Sequence, residues 1–278
     1  MPSKYQPQVS AWRDDLPKGV YTTKLHLSNN KKLRYANDDY CELSRRFTGM
    51  GSLLIRLIVI ILFFICVLIA NSGLVAVLFA IFYFDTYKAL FIFLFFVFLM
   101  CSQIFIQFFL TFLFCPEDCP VRFNRKTGKV YIYDHFLLYC GSWATFTRSP
   151  FRAKEISVKE FNWADIQGCM TSVSVPIASG GMVRSYRLEC VVCEPDTTKV
   201  IDHFLLAGST SLGYNEWMWI NNYMAFSDNN LDRELMPEEA FTWPIKVNWP
   251  EEIDKKSKAS SLEEYQQIDA EYKKLGNK

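Results

Sequence analysis

Two stretches of the chain carry no polar rhythm. No charged side chain occurs from residue 57 to 84, a run of 28 positions, or from 89 to 114, a run of 26. A bilayer span needs only about 20 apolar residues. The pattern therefore predicts a two-helix transmembrane hairpin over residues 51–114, with Asp85, Thr86, Tyr87 and Lys88 as its turn. A helix buried in a core would be shorter and would keep a polar face. Because the first apolar run begins only after fifty polar residues, it reads as an anchor and not as a cleaved signal peptide.

Elsewhere the pattern alternates. Arg122-Phe123-Asn124 and Lys129 to Tyr133 flank Arg125-Lys126-Thr127-Gly128, where Gly128 supplies the positive backbone angle that a tight hairpin requires. Further strands are predicted over Glu155–Phe161, Thr171–Ile177, Ser185–Val192 and Lys199–Leu206, with turns at Ser179-Gly180-Gly181 and Glu194-Pro195-Asp196. They describe an antiparallel meander with one buried face. After Ser209-Thr210-Ser211, residues able to cap a helix, Trp217, Ile220 and Met224 recur at helical spacing. Near the start, Val20–Leu27 and Lys32–Tyr35 flank Asn29-Asn30-Lys31 as a hairpin.

The expected fold class is thus an α+β membrane protein: the two-helix hairpin plus a cytoplasmic antiparallel sheet closed by a C-terminal helix. A small sheet closed in this way resembles the pleckstrin-homology-like superfold, an analogy of fold that carries no ligand with it. Four regions follow: an N-terminal cytoplasmic segment (1–50) too short for its own core, the hairpin (51–114), the β-rich part (115–231), and an extension (232–278). The extension is broken by Pro237, Pro244 and Pro250, marked by Trp243 and Trp249, and ends in a charged stretch from Ser260 to Leu275. The N-terminal segment is expected to pack on the β-rich part. Trp243 and Trp249 suit either an exposed recognition strip or a clamp holding the extension down.

Charge adds an orientation. Residues 1–56 hold ten Lys or Arg against five acids, and Arg122, Arg125, Lys126 and Lys129 closely follow the second apolar run. The positive-inside rule then places both termini of this multi-pass protein in the cytoplasm; the resemblance given below implies the bacterial inner membrane. These four cations also lie where anionic headgroups of the lipid bilayer would attract them, although orientation alone accounts for them. A net charge of +1 excludes a dedicated nucleic-acid binder. Nine cysteines spread over the whole chain suit a reducing compartment.

No catalytic constellation emerges. His26, His135 and His203 are scattered without ligand spacing, so no metal and no cofactor are implied. Cys190 and Cys193 have redox spacing, but they sit on a predicted strand where positions three apart face opposite ways, so they read as packing. Cys115 and Cys119 read as structural thiols. No phosphate loop, nucleophile elbow or dinucleotide fingerprint occurs. Gln103 and Gln107, one turn apart with Asn71 or Ser72 as the residue opposite, are candidates for hydrogen bonds between helices or between subunits of a homo-oligomer.

The run Arg122-Phe123-Asn124-Arg125-Lys126-Thr127-Gly128-Lys129-Val130-Tyr131, with Phe161-Asn162-Trp163-Ala164-Asp165-Ile166 after it, resembles an uncharacterised bacterial family of two-span inner-membrane proteins. Members of that family are often associated with type VI secretion effector and immunity loci. The resemblance spans roughly residues 50–225. It implies a non-enzymatic immunity or accessory protein that neutralises a cognate effector, with Arg122, Asn124, Arg125, Lys126, Lys129, Trp163 and Asp165 as membrane-proximal or partner contacts. The alternative is a membrane-anchored adaptor or lipid-sensing module without a toxin partner; a small transporter subunit would require oligomers.

Overall fold

In the computed structural model the hairpin expected after residue 120 is the centre of a larger sheet. The structure describes residues 3–27, 32–45, 50–83, 118–135, 156–176, 181–210, 214–229 and 247–276, with a few positions between 89 and 106. Strands β1 (Trp12–Asp15), β2 (Leu33–Ala36) and β3 (Tyr40–Leu43) precede helix α1 (Met50–Tyr83). After it come β4 (Val121–Asn124), β5 (Lys129–Asp134), β6 (Ser157–Asn162), β7 (Ile166–Pro176), β8 (Met182–Cys193) and β9 (Val200–Thr210). Three helices follow: α2 (Asn215–Met224), α3 (Glu251–Ser257) and α4 (Leu262–Gly276).

The strands form two antiparallel sheets, one ordered β2-β3-β4-β5-β6 and the other β1-β7-β8-β9. The N-terminal segment does not merely pack on the β-rich part. Its β1 joins one sheet by pairing with β7, and its β3 joins the other by pairing with β4. The early hairpin is also displaced: β2 pairs with β3 around Asn37-Asp38-Asp39, where the Asn37 Oδ1 accepts the main-chain N–H of Asp39 and of Tyr40. A side-chain amide that imitates a turn in this way is a common reason for asparagine at such a position. Residues Asn29 to Lys31, the expected turn, lie outside the described residues.

One apolar core joins the two sheets. Phe123, Val130 and Ile132 from the first meet Leu188, Cys190 and Phe204 from the second, and α2 closes them with Trp217, Trp219, Ile220 and Tyr223. Helix α2 was expected to show one apolar stripe; eight of its ten residues are buried. Its N-cap is Tyr214, without a side-chain hydrogen bond, so the Ser209 to Ser211 cap is not used and Ser209 and Thr210 lie in β9 instead. The approach of α2 to β7 is close. A Cβ built on Gly168 would lie 2.7 Å from the Trp217 ring, so glycine there is what lets the indole seat against the strand.

Two sheets with few helices replace the expected transmembrane hairpin plus single sheet closed by a C-terminal helix. Helix α2 does close the core, but α3 and α4 come after it. The backbone of α1 is helical over its length, with Leu57, Ile61, Phe64 and Phe79 among its exposed side chains. Its described side chains come in short, interrupted stretches, and of the second expected span only scattered residues are described. No helix among the described residues is long and apolar enough to cross a membrane. The two-span reading and the multi-pass inner-membrane placement built on it are thereby overturned. Gln103 and Gln107 lie outside the described residues, as does the side chain of Asn71.

Candidate functional site

The hairpin β4–β5 holds the densest polar chemistry in the described residues, and its register explains why. Antiparallel pairing puts Tyr35, Glu42, Arg122, Tyr131 and Glu160 in one row across five strands. Opposed residues share a face. The next row, Cys41, Phe123, Val130 and Phe161, points the other way, into the core. The row after it, Tyr40, Asn124 and Lys129, returns to the outer face. The alternation that predicted a hairpin with one buried face is therefore correct for the core side. The outer side is buried as well, because residues 247–276 lie across it.

Arg122 is the centre of this seam. Its side chain is only 5% exposed, and its guanidinium donates to Glu42 Oε2 at 2.7 Å and to Asp254 Oδ1 at 2.9 Å. It also donates to the Ser257 hydroxyl. The flat guanidinium lies between two rings, its Cζ 4.7 Å from the Trp249 centroid and 5.1 Å from that of Tyr40. A planar fork with delocalised charge suits such a site, and an ammonium would not replace it. Arg34 extends the network by reaching Glu42 Oε1 at 3.3 Å and Asp118 Oδ2 at 2.9 Å. Burial pushes the Asp254 carboxyl upward, but hydrogen bonds from Lys258 and Arg122 outweigh it and hold the group below its ordinary value.

Asn124 is fully buried and works in two directions. Its Nδ2 donates to the carbonyls of Ser257 and Ala259, at the end of α3, at 3.1 and 2.7 Å. Its Oδ1 accepts the N–H of Thr127 at 2.9 Å and so shapes the turn of the hairpin. Gly128 closes that turn at φ +66°, the left-handed value read from the sequence. Arg125 donates to the main chain of Asp38 at 2.7 Å and pairs with its carboxylate, while lying over the rings of Tyr223 and Phe226. Lys126 reaches Phe226 as well, 5.6 Å from its centroid. Lys129 approaches Glu160 at 3.4 Å and the Tyr265 ring at 5.3 Å. The cluster that was expected to face headgroups or set orientation is thus largely turned inward onto the chain's own acids and rings.

Trp163 and Asp165 have a different place. They form a single 3-10 turn, Trp163–Asp165, that carries the chain from β6 into β7 and hence from one sheet to the other. The Trp163 ring packs against Trp217 and Phe123, at 5.5 and 5.9 Å between centroids. Asp165 accepts from Asn162 Nδ2 at 3.0 Å. Beneath the turn Lys18 donates to the carbonyls of Trp163, Ala164 and Ile166, and burial lowers its pKa to about 8.

The chain matches the family described as a family of unknown function, DUF6708, over residues 96–243, just over half its length. The chain belongs to this family. No curated protein and no solved structure matches it. The matched region contains Arg122, Asn124, Trp163 and Asp165; Glu42 lies before it, and Trp249 and Asp254 lie after it. The seam is therefore built by residues of the family region gripping two segments outside that region.

Sequence reasoning missed several members of the seam and its surroundings. Glu42 and Asp254 are 80 and 132 positions from Arg122, and no local pattern links them. Arg45 is another case: its side chain is fully buried and donates to the carbonyls of Cys119, Tyr133 and Leu205 and to Asp134. The only signal was a cluster of charges in residues 31–46 beside a short strand. Cys190 and Cys193, by contrast, fall in separate apolar clusters on opposite faces of β8, as their spacing on a strand requires. Both are free thiols, and burial raises both. No group of three or more His, Cys, Asp or Glu able to hold a metal occurs among the described residues.

Proposed function

We propose that this chain works by binding another polypeptide, and that in the setting of type VI effector and immunity loci it is a non-enzymatic immunity protein that neutralises a cognate effector. The setting rests on the resemblance carried by Arg122 to Tyr131 and Phe161 to Ile166. The binding role rests on one observation: the richest polar cluster is arranged to hold protein. Arg122 spends its donors on carboxylates and a hydroxyl, and Asn124 spends its amide on two main-chain carbonyls at the end of a helix. These are the groups a polypeptide offers.

The reading is tested by competition on a surface. A strain lacking the gene is grown with its parent, and again with a parent whose type VI machine is disabled, in a background stripped of redundant immunity genes. Death of the mutant only beside the armed parent, reversed by restoring the gene, is the expected result. Equal survival beside both parents overturns the immunity reading.

A further inference from the structure

The five-stranded sheet has two covering layers of unequal quality. On its core side it shares a cluster with the second sheet and α2. On its other side, among the described residues, it meets residues 247–276, through a small apolar group of Tyr131, Tyr133 and Trp249 with Val158, Val247 and Ile253. The rest of that contact is polar: Arg122 to Asp254 and Ser257, Asn124 to the Ser257 and Ala259 carbonyls, and Glu160 to the Tyr265 hydroxyl at 2.6 Å.

Two polar atoms in this seam are buried and unpartnered, the hydroxyl of Tyr131 and the indole N–H of Trp249. Tyr131 is 0% exposed and Trp249 8%. A buried donor without an acceptor costs free energy that is recovered once it meets water or a better partner. Both atoms sit where the C-terminal segment joins the sheet. The seam thus penalises closure at the points where it is otherwise aromatic and tight. Such a contact, small in apolar area and with two buried donors unpaired, suits a segment that docks and leaves.

We propose that the outer sheet face around Arg122, Asn124 and Tyr133 is a recognition site for a partner-protein segment, and that the chain's own residues 247–259 occupy it as a displaceable internal ligand. The chemistry of the occupant defines the partner. It presents an aromatic ring to Tyr133 and Arg122, a carboxylate five positions later on a short helix, and free carbonyls at the end of that helix for Asn124. The partner segment is a short helical one that carries a carboxylate for Arg122, as Asp254 does; Glu251 and Glu252 pair with Lys255 and Lys256 of their own helix. Tethering gives the internal ligand a high effective concentration, so a partner must bind well to replace it. That the partner is an effector rests on the function proposed above; the site itself does not.

The test uses the full chain and a fluorescently labelled peptide of residues 247–276. In hydrogen exchange, the amides of α3 and α4 in the unaltered chain exchange at least 100-fold faster than those of β5. The double variant Trp249→Ala/Asp254→Asn, which alters only the internal ligand, frees residues 247–276 and binds the peptide at least tenfold more tightly than the unaltered chain does. A peptide carrying both Trp249→Ala and Asp254→Asn loses at least tenfold on the double variant. Exchange of α3 and α4 at the rate of β5, continued protection of the segment in the double variant, or equal peptide affinity for the two chains each overturns the proposal. A double variant that binds the peptide in a chain giving no protection in competition keeps the site and removes the effector; protection without peptide binding does the reverse.

Discussion

Arg122 and Asp254, 132 positions apart, lie 2.9 Å from each other across the seam between the five-stranded sheet and the C-terminal segment. The two partners are unequal. Arg122 is 5% exposed at its side chain and Asp254 34%, so water screens one end of the pair and not the other. Replacing Arg122 by leucine strands Glu42, which is 10% exposed and keeps only Arg34. A loss of about 3–5 kcal/mol is expected for breaking a buried pair in this way. Asp254→Asn leaves a half-solvated site and should cost no more than about 1 kcal/mol. Urea unfolding of both variants checks the ordering.

Acid should release the C-terminal segment before it unfolds the sheets. Asp254, which bonds to the sheet through Arg122, is held below its ordinary value of 3.8, as burial is outweighed by Lys258 and Arg122. A carboxyl whose folded pKa is depressed gives stability that is present above its unfolded value and lost as pH falls through its folded one. Docking is therefore expected to be intact at pH 6 and to weaken below about pH 4. Exchange of the α3 and α4 amides, followed from pH 6 to 3 after correction for intrinsic rates, measures it. Equal weakening of β5 over that range would contradict the expectation.

Lys18 gives an alkaline effect of opposite sense. Burial lowers its folded pKa to about 8 from an ordinary 10.5, so between these values the unfolded chain binds more protons than the folded one. Stability contributed by this site then rises with pH from about 8 to 10. Tyrosines whose pKa is raised, such as Tyr21 at about 12, act the other way only above pH 10. In Lys18→Met the rise should vanish, so the difference between the two proteins changes by about 1–3 kcal/mol between pH 7 and 10. Denaturant titrations at those two pH values suffice.

Two glycines separate two causes of strain. Gly168→Ala forces a methyl group to within 2.7 Å of the fully buried Trp217 ring, an overpacking expected to cost about 1–3 kcal/mol. Gly128→Ala meets no atom within 4 Å, and its cost of about 1 kcal/mol comes only from holding alanine at φ +66°. Asparagine tolerates that conformation better, so Gly128→Asn should recover part of the loss, whereas Gly168→Asn should be worse than Gly168→Ala. Thermal unfolding of the four variants distinguishes the two.

Much of the β-rich part was legible along the chain. The β4–β5 hairpin, its left-handed Gly128, the β7–β8–β9 meander and the helix bearing Trp217, Ile220 and Met224 all follow from local alternation, spacing and turn residues. Their signals are local because strand and helix periodicity depend on neighbours two to four positions apart. The apolar run of 51–114 was equally conspicuous, yet no helix among the described residues is long and apolar enough to cross a membrane. Arg122 and Asn124, singled out as membrane-proximal or partner contacts, bind residues 254–259 of the same chain, and no local pattern shows that contact.

By itself the sequence determined β4 to β9 as strands and where the β4–β5 hairpin turns. Tertiary structure alone decided that β1 and β3 complete the two sheets, that Glu42, Arg122 and Asp254 meet, and that the C-terminal segment covers the outer row. The reason is physical. Periodicity encodes how each residue sees its neighbours, whereas pairing between segments 80 or 132 positions apart is fixed only when the core folds and strand register carries those side chains to one face.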